Sequence, residues 1–312
     1  MKKAITFILL TCIFFYPCNP SIASTQTNIL EDKTSTSYNV QMKQDLLCLM
    51  MAYPEYISNI ENDSQGNIYL LMKSGNKLLY DDKKIKNLNQ KLANPDLQDM
   101  LEQVYPLSHI SNVMDETFDP GRCRVYELLK EVYGTSKQST ESRLKNVNSV
   151  YGNYQFNGNN NAAKSLQAVM TELVPLAQKN QTIKRCLFPC SGTFNYRIIA
   201  GTNQLSPHSF GIAIDLAVNK GDYWKWSSKE AASKRLNTYP CEIVEVFEKN
   251  NFIWGGKWGH FDIMHFEYRP EIILKARYFK QSQNKEESWY DGAPIQETFV
   301  KDLIEKINFA LR

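Results

Sequence analysis

Apolar and polar positions in the first half of the chain predict short helices and one hairpin. Residues 41–53 are rich in leucine and methionine, which predicts a helix with a buried face. Residues 67–80 contain two short apolar runs around a Ser-Gly-Asn turn at 74–76, the pattern of a β-hairpin. Helical periodicity returns at 97–104 and at 125–132. None of these elements carries a recognisable chemical constellation.

In the second half of the chain, the spacing of apolar positions predicts helices and a strand more clearly. Residues 162–178 place apolar side chains three and four positions apart, which predicts a helix with one buried face. Two further helices are predicted at 242–249, after Pro240, and at 299–311. Between the helices predicted at 162–178 and 242–249, the run G-I-A-I-D-L-A-V at 211–218 is apolar except for one aspartate, as in a buried strand.

Alternation along this strand predicts where its aspartate points. Side chains alternate between the two faces of a strand, so Asp215 shares a face with two alanines, Ala213 and Ala217. This leaves the carboxylate room to reach a metal, and a solvated aspartate on an edge strand is the alternative. A continuous strand would put His208 on the opposite face, and Gly211 is the place for the chain to bend and bring the two together.

A second polar segment, D-I-M-H-F-E at 262–267, repeats the combination of carboxylate and histidine. We expect Asp262 at the lip of a strand that begins near Ile263, with His265 on the strand. A carboxylate just before a ligating histidine can accept a proton from a zinc-bound water, whereas a turn cap is the alternative role for Asp262. Glu267 shares a face with His265 and is either a competing base or a partner of that histidine.

Together the two segments supply two histidines and two carboxylates, enough for a zinc site with its own base. The pattern S-x-H-x-x-G-x-A-x-D followed by D-x-x-H-F-E resembles the zinc D-alanyl-D-alanine carboxypeptidase family. That family includes L-alanyl-D-glutamate peptidases and phage endolysins, and shares its fold with the Hedgehog signalling domain. The endolysin-like branch, with aspartate as the base, is the most similar. The resemblance covers roughly residues 185–275.

The resemblance implies a role for each matching residue. It implies that His208, Asp215 and His265 bind zinc. It also implies that Asp262 is the general base and that Arg197 contacts the substrate or the oxyanion. Three more residues are candidates for substrate contact. Ser206 opens the first motif, Trp258 lies on the predicted rim of the cleft, and His260 either orients substrate or packs in its loop.

The expected fold is α+β, with helices packed on a small antiparallel sheet that carries the zinc ligands, a sheet assignment taken mainly from the resemblance. A mainly helical N-terminal extension contains the hairpin. The expected function is a secreted zinc metallopeptidase that hydrolyses peptidoglycan stem peptides, as a D-Ala-D-Ala carboxypeptidase or an L-Ala-D-Glu endopeptidase, by zinc-activated water with Asp262 as general base. A non-catalytic zinc-containing module for cell-wall binding or signalling, on the same scaffold, is the alternative.

The N-terminus has the pattern of a secretory signal. Two lysines precede an apolar run at 4–16, and Ser21-Ile22-Ala23 offers small residues at the cleavage positions. We therefore expect an extracytoplasmic protein, periplasmic or secreted, without a stable membrane anchor. The predicted segments are the signal peptide at 1–23 and a flexible leader at 24–40. They are followed by a helical and hairpin region of unknown role at 41–150, the catalytic domain at 151–280, and a polar linker with a C-terminal helix at 281–312.

The net charge limits the classes of partner that we expect. The 312 residues have a formal net charge of +3, and the signal segment contributes two lysines and no acids, so about +1 remains and nucleic acid is not an expected partner.

Five cysteines follow the signal, Cys48, Cys123, Cys186, Cys190 and Cys241. A local bridge between Cys186 and Cys190 is one possibility in an oxidising compartment, and sequence alone leaves connectivity and oligomeric state open.

Overall fold

The computed structural model describes residues 21–280 and 288–312, with side chains from residue 37 onward. Most of the predicted signal peptide, and part of the predicted polar linker, lie outside the described residues. The chain divides into two units, residues 1–40 and 41–312, and the second contains all the predicted site residues. No helix within the described ranges is long and apolar enough to cross a membrane.

Helices make up much of the described chain. They are α1 (Ser21–Ala52), α2 (Leu88–Ala93), α3 (Leu97–Leu101), α4 (Tyr126–Tyr133), α5 (Lys137–Glu141), α6 (Ala162–Lys179), α7 (Gln181–Leu187), α8 (Lys229–Leu236), α9 (Cys241–Lys249), α10 (Pro270–Tyr278) and α11 (Thr298–Ala310). The predicted helices are confirmed by α1, α3, α4, α6, α9 and α11. The backbone range of α1 also includes residues 24–40, predicted as a flexible leader, where no glycine or proline interrupts the helix. The predicted segment boundaries stay predictions.

The strands form three small antiparallel sheets. Their bounds are β1 (Ile57–Asn62), β2 (Ile68–Met72), β3 (Lys77–Leu79), β4 (Leu144–Ser149), β5 (Gly152–Asn157), β6 (Ala213–Asp215), β7 (Phe252–Trp254) and β8 (His265–Tyr268). The predicted hairpin is confirmed as β2 and β3, and β1 adds a third strand to it. In the third sheet, β8 lies between β6 and β7. The α+β fold is therefore as predicted.

An aromatic core supports the sheet of β6, β7 and β8. Phe266, on the central strand, stacks on Phe247 of α9 with ring centroids 3.9 Å apart. Phe247 also contacts Phe252 of β7 edge-to-face at 5.3 Å. These rings are buried, and α6 packs against α9 with the apolar face that its sequence predicts. One face of the sheet is thus fixed by packing, which leaves the other for polar side chains.

Residues 41–150 contribute to the same buried interior as the sheet. The Tyr53 hydroxyl donates to Glu271 at 2.7 Å, and Lys275 pairs with Asp45 at 2.6 Å. All four side chains are buried, so these contacts join α1 and the residue that follows it to α10 away from solvent. Because a buried charge is costly without its partner, the two regions depend on each other for stability.

We expect a fragment limited to residues 151–280 not to fold. It would leave Glu271 without Tyr53, and it would lack the Arg124 partner of Glu267. Loss of one partner of a buried ion pair costs about 3–5 kcal/mol, a large share of the roughly 5–15 kcal/mol that stabilises a domain. Thermal unfolding followed by circular dichroism tests this, with residues 41–312 as the folded control. A cooperative transition in the short fragment would contradict the expectation.

Candidate metal centre

His208 lies on a short 3₁₀ helix whose ends are fixed by its neighbours. The helix spans Pro207–Phe210, and the Ser206 hydroxyl accepts from the His208 amide at 3.4 Å. It ends at Gly211, which has φ +67°, and a Cβ there would lie 2.8 Å from Leu144 Cδ2. The predicted bend at Gly211 is therefore confirmed, and only glycine fits both the backbone and the space.

The His208 ring is oriented by a backbone carbonyl. Its Nδ1 lies 2.5 Å from the Thr193 carbonyl oxygen, which can only accept, so Nδ1 carries the proton. The lone pair is then on Nε2, 3.3 Å from Asp215 Oδ2. His208 is 4% exposed, and its Nε2 has no hydrogen-bond partner. A buried imidazole nitrogen left unpaired in this way is suited to bind a metal.

Strand register brings the other two predicted ligands together. Asp215 of β6 is paired directly with His265 of β8, so both side chains leave the same face of the sheet. His265 Nδ1 lies 2.9 Å from Asp215 Oδ1, and the two histidine rings are 5.2 Å apart. Asp215 does lie on an edge strand and its side chain is 26% exposed, but its carboxylate oxygens face two imidazoles.

The three groups form a cluster that fits a zinc ion. One potential ligand atom from each of His208, Asp215 and His265 lies within 4.8 Å of the others. Two imidazole nitrogens and one carboxylate oxygen are a set that zinc favours, and three protein ligands leave a coordination position open. The cluster therefore has the composition of a hydrolytic site.

Charge coupling within the cluster is strong. Burial raises the pKa of Asp215, but the neighbouring His208 and His265 outweigh it and hold this pKa well below its usual range. Burial acts to lower the pKa of His265, yet Asp215 and Glu267 outweigh it and raise this pKa to about 10. In the absence of a metal, the positive charge of His265 balances the carboxylates.

Asp262 stands beside the cluster, in the turn before β8. Its amide donates to Gly255 and its carbonyl accepts from the His265 amide, at 2.9 and 3.1 Å. Burial, reinforced by the charge of Asp215, raises the pKa of Asp262 to about 6, and the two histidines oppose this. Its Oδ1 is buried without a hydrogen-bond partner. The side chain is therefore not a turn cap, and its buried Oδ1 has no competing hydrogen bond within the described structure.

Glu267 is unsuited to act as the competing base. It is fully buried, and Arg124 binds it through two nitrogens, with Nη2 2.7 Å from Oε2 and Nε 2.9 Å from Oε1. Its Oε2 also lies 3.7 Å from His265 Nε2. Burial raises the pKa of Glu267, but Arg124 above all brings it well below its usual range. It is a fixed carboxylate behind the histidine, and the sequence offered no spacing from which Arg124 could be found.

The remaining candidates lie around the cluster. Trp258 is buried, donates from Nε1 to the Pro120 carbonyl at 2.7 Å, and lies 5.7 Å from the His265 ring. His260 is partly exposed, and its Nδ1 lies 2.7 Å from Oδ2 of buried Asp119. Contacts inside the fold thus account for Trp258 and anchor His260, as they do for Ser206. Their roles in substrate binding stay predictions.

Arg197 is exposed, and its guanidinium forms no hydrogen bond or ion pair with any described residue. Its charge helps to lower the pKa of the Tyr223 hydroxyl, which burial and then Asp262 raise. Tyr223 is bridged to Asp262 through the backbone. Among the described residues Arg197 is therefore an exposed cation without a partner, and its charge acts on a residue bridged to Asp262.

The five described cysteines are all free thiols. The bridge considered between Cys186 and Cys190 is absent, because their sulfur atoms face different partners. The Cys186 sulfur accepts from Arg235 at 3.6 Å, whereas the Cys190 thiol donates to the Leu187 carbonyl at 3.3 Å. None of these five cysteines belongs to the cluster of His208, Asp215 and His265.

We expect zinc binding to displace a proton from His265. Its raised pKa keeps it protonated at pH 7.5, and a ligating imidazole must be neutral, so affinity should fall as pH falls. Calorimetric titration of the metal-free protein in buffers of different ionisation enthalpy measures this. We expect release of about one proton per zinc at pH 7.5. Heats that are independent of the buffer would contradict it.

Comparison with known proteins agrees with this geometry. Residues 200–268 match a family described as D-alanyl-D-alanine carboxypeptidase. No curated protein and no solved structure matches the chain. The matched range contains His208, Asp215, Asp262 and His265, and it excludes Arg197. The predicted resemblance to the D-alanyl-D-alanine carboxypeptidase family of peptidases is therefore confirmed for this part of the chain.

Proposed function

We propose that this chain is a zinc-dependent peptidase that releases the terminal D-alanine from peptidoglycan stem peptides outside the cytoplasm. The observation that carries the proposal is the cluster of His208, Asp215 and His265 with the unpaired carboxylate oxygen of Asp262 beside it. A metal-binding module would need the three ligands but not the fourth group. The family match supports the carboxypeptidase type, and the predicted signal segment supports the location.

The three ligands would hold the metal with one coordination position free. Zinc there would act as a Lewis acid that activates a water molecule and polarises the peptide carbonyl. Thr193 keeps His208 in the tautomer that presents Nε2, and Asp215 is held as a carboxylate by its two histidine neighbours. The protein thus presents two of the three ligands in the charge state that a zinc ion requires, and the third, His265, would lose its proton when the metal binds.

Asp262 would move the proton. A pKa of about 6 leaves this carboxyl mainly ionised at neutral pH, yet close enough to neutrality to return the proton it accepts. It would take a proton from the attacking water and deliver it to the leaving amine of D-alanine. Its unpaired Oδ1 has no competing hydrogen bond to break first.

Arg197 would bind the free carboxylate at the end of the substrate. It is exposed, has no partner among the described residues, and acts electrostatically on Tyr223, which is bridged to Asp262 through the backbone. An arginine suits a carboxylate because its planar donors can bind both oxygens. This assignment favours release of a terminal residue over cleavage of an internal L-Ala–D-Glu bond.

Replacement of the base should abolish turnover without loss of metal. We expect Asp262→Asn to lower kcat by about 10²–10⁴-fold, because the amide cannot accept the proton. Zinc content should stay stoichiometric, since Asp262 is not among the three ligands. The measurement is D-alanine release from a synthetic stem pentapeptide, together with metal analysis. Asp302→Asn, an exposed residue of α11, is the control. Turnover in Asp262→Asn equal to that of the wild type would contradict the assignment.

A pair of substrates tests Arg197. We expect Arg197→Ala to lower kcat/KM about 10–100-fold on a pentapeptide with a free C-terminal carboxylate, the value of a charged hydrogen bond of about 1.5–3 kcal/mol. On the same peptide with an amidated C-terminus, wild type and variant should be equally slow. Arg185→Ala, an exposed arginine of α7, is the matched control. An equal loss on both peptides would instead assign Arg197 to the oxyanion.

A further inference from the structure

A row of charged side chains is buried beneath β8, directly behind the proposed metal centre. Arg124, Glu267, Arg269 and Glu271 are all at most 6% exposed. Arg269 donates from Nη1 to Glu267 at 3.1 Å and from Nε to Glu271 at 2.6 Å. Arg124 closes the other end of the row on Glu267. The row alternates in sign, so every charge in it has an opposite neighbour.

Stability alone is a weak reason for such a row. Burial removes the hydration of each ion, and well-packed apolar residues of the same volume often give an equal or more stable protein. One member of the row, however, contacts the proposed metal centre. Glu267 Oε2 lies 3.7 Å from Nε2 of His265, the ring nitrogen that does not face Asp215. The row thus contacts the back of a proposed zinc ligand through Glu267.

We infer that Arg124 is a positioning residue for the metal centre, acting through Glu267 on His265. It holds the Glu267 carboxylate against the Nε2 edge of the ring, so that Nδ1 is presented to the metal. A carboxylate behind a ligating histidine fixes the ring and raises its basicity, and loss of such a partner weakens metal binding about 10–100-fold in other sites. This inference rests on the metal centre proposed above.

Arg124 suits the role better than its neighbour Arg269. Its Nε and Nη2 both bind Glu267, which fixes the plane of the carboxylate as well as its place. Arg269 divides its nitrogens among Glu267, Glu271 and the Gly121 carbonyl. The orientation of Glu267 therefore depends mainly on Arg124.

The segment that carries Arg124 is itself fixed to the loop before β8. Trp258 donates to the Pro120 carbonyl, and the Gly259 amide donates to the Phe118 carbonyl, both at 2.7 Å. Gly121 has φ +88°, and a Cβ there would lie 2.4 Å from Ile253 Cδ1. Residues 118–124 lie outside the matched range 200–268, so the site includes a part of the chain that the family match does not cover.

Zinc affinity tests the inference directly. Dissociation constants of the full-length mature protein are measured by competition with a chelator of known affinity at fixed pH. We expect Arg124→Met to weaken zinc binding about 10–100-fold, and Arg124→Lys less, because a lysine cannot bind both oxygens in one plane. The control is Lys275→Met, which removes a buried cation of α10 that pairs with Asp45. It should lower thermal stability and leave zinc affinity unchanged.

Glu267→Gln keeps the test decisive if Arg124→Met does not fold. It keeps the shape of the side chain and removes the charge that Arg124 binds, so zinc affinity should fall as in Arg124→Met. In the double variant the two losses should not add, because both substitutions break one linkage.

Two outcomes would overturn the inference. One is wild-type zinc affinity in a folded Arg124 variant or in Glu267→Gln, and the other is losses that add in the double variant. These outcomes are distinct from failure of the proposed function, which would appear as a wild-type protein that binds no zinc.

Discussion

The direct cross-strand pairing of Asp215 with His265 is the constraint on which the site depends. It sets one proposed ligand from β6 beside one from β8 and turns Ile214 and Phe266 to the opposite face, where the aromatic core holds them. A slip of one residue would exchange the two faces, burying the carboxylate in the core and exposing the core residues. The packing of apolar side chains and the geometry of the site are therefore set by one register.

Outward from this pair, each polar side chain is held by a different kind of contact. His208 is oriented by a backbone carbonyl from the loop at Thr193, and His265 has a carboxylate behind it that two arginines hold in place. Asp262 is the exception, since its Oδ1 is left without a partner. Hydrolysis by an activated water requires metal ligands that are held in place and a carboxylate that is free to accept a proton.

Local sequence patterns predicted those parts of the site that depend on residues close together in the chain. Alternation placed Asp215 on one face of β6, Gly211 marked the bend that returns His208, and the two motifs gave the family. The supports of the site were not predictable in this way. Arg124 meets Glu267 across 143 residues of chain, and Asp119 meets His260 across 141. No local periodicity encodes such contacts, because the tertiary fold alone brings the residues together.

Digestion of purified peptidoglycan by the protein, resolved by mass spectrometry with and without a zinc chelator, tests directly whether the metal centre hydrolyses stem peptides. We expect muropeptides shortened by a terminal D-alanine, formed in the presence of zinc and absent when the metal is removed. A protein that holds stoichiometric zinc and yields no shortened peptide would contradict this expectation, and would point instead to a module that binds the cell wall without cutting it.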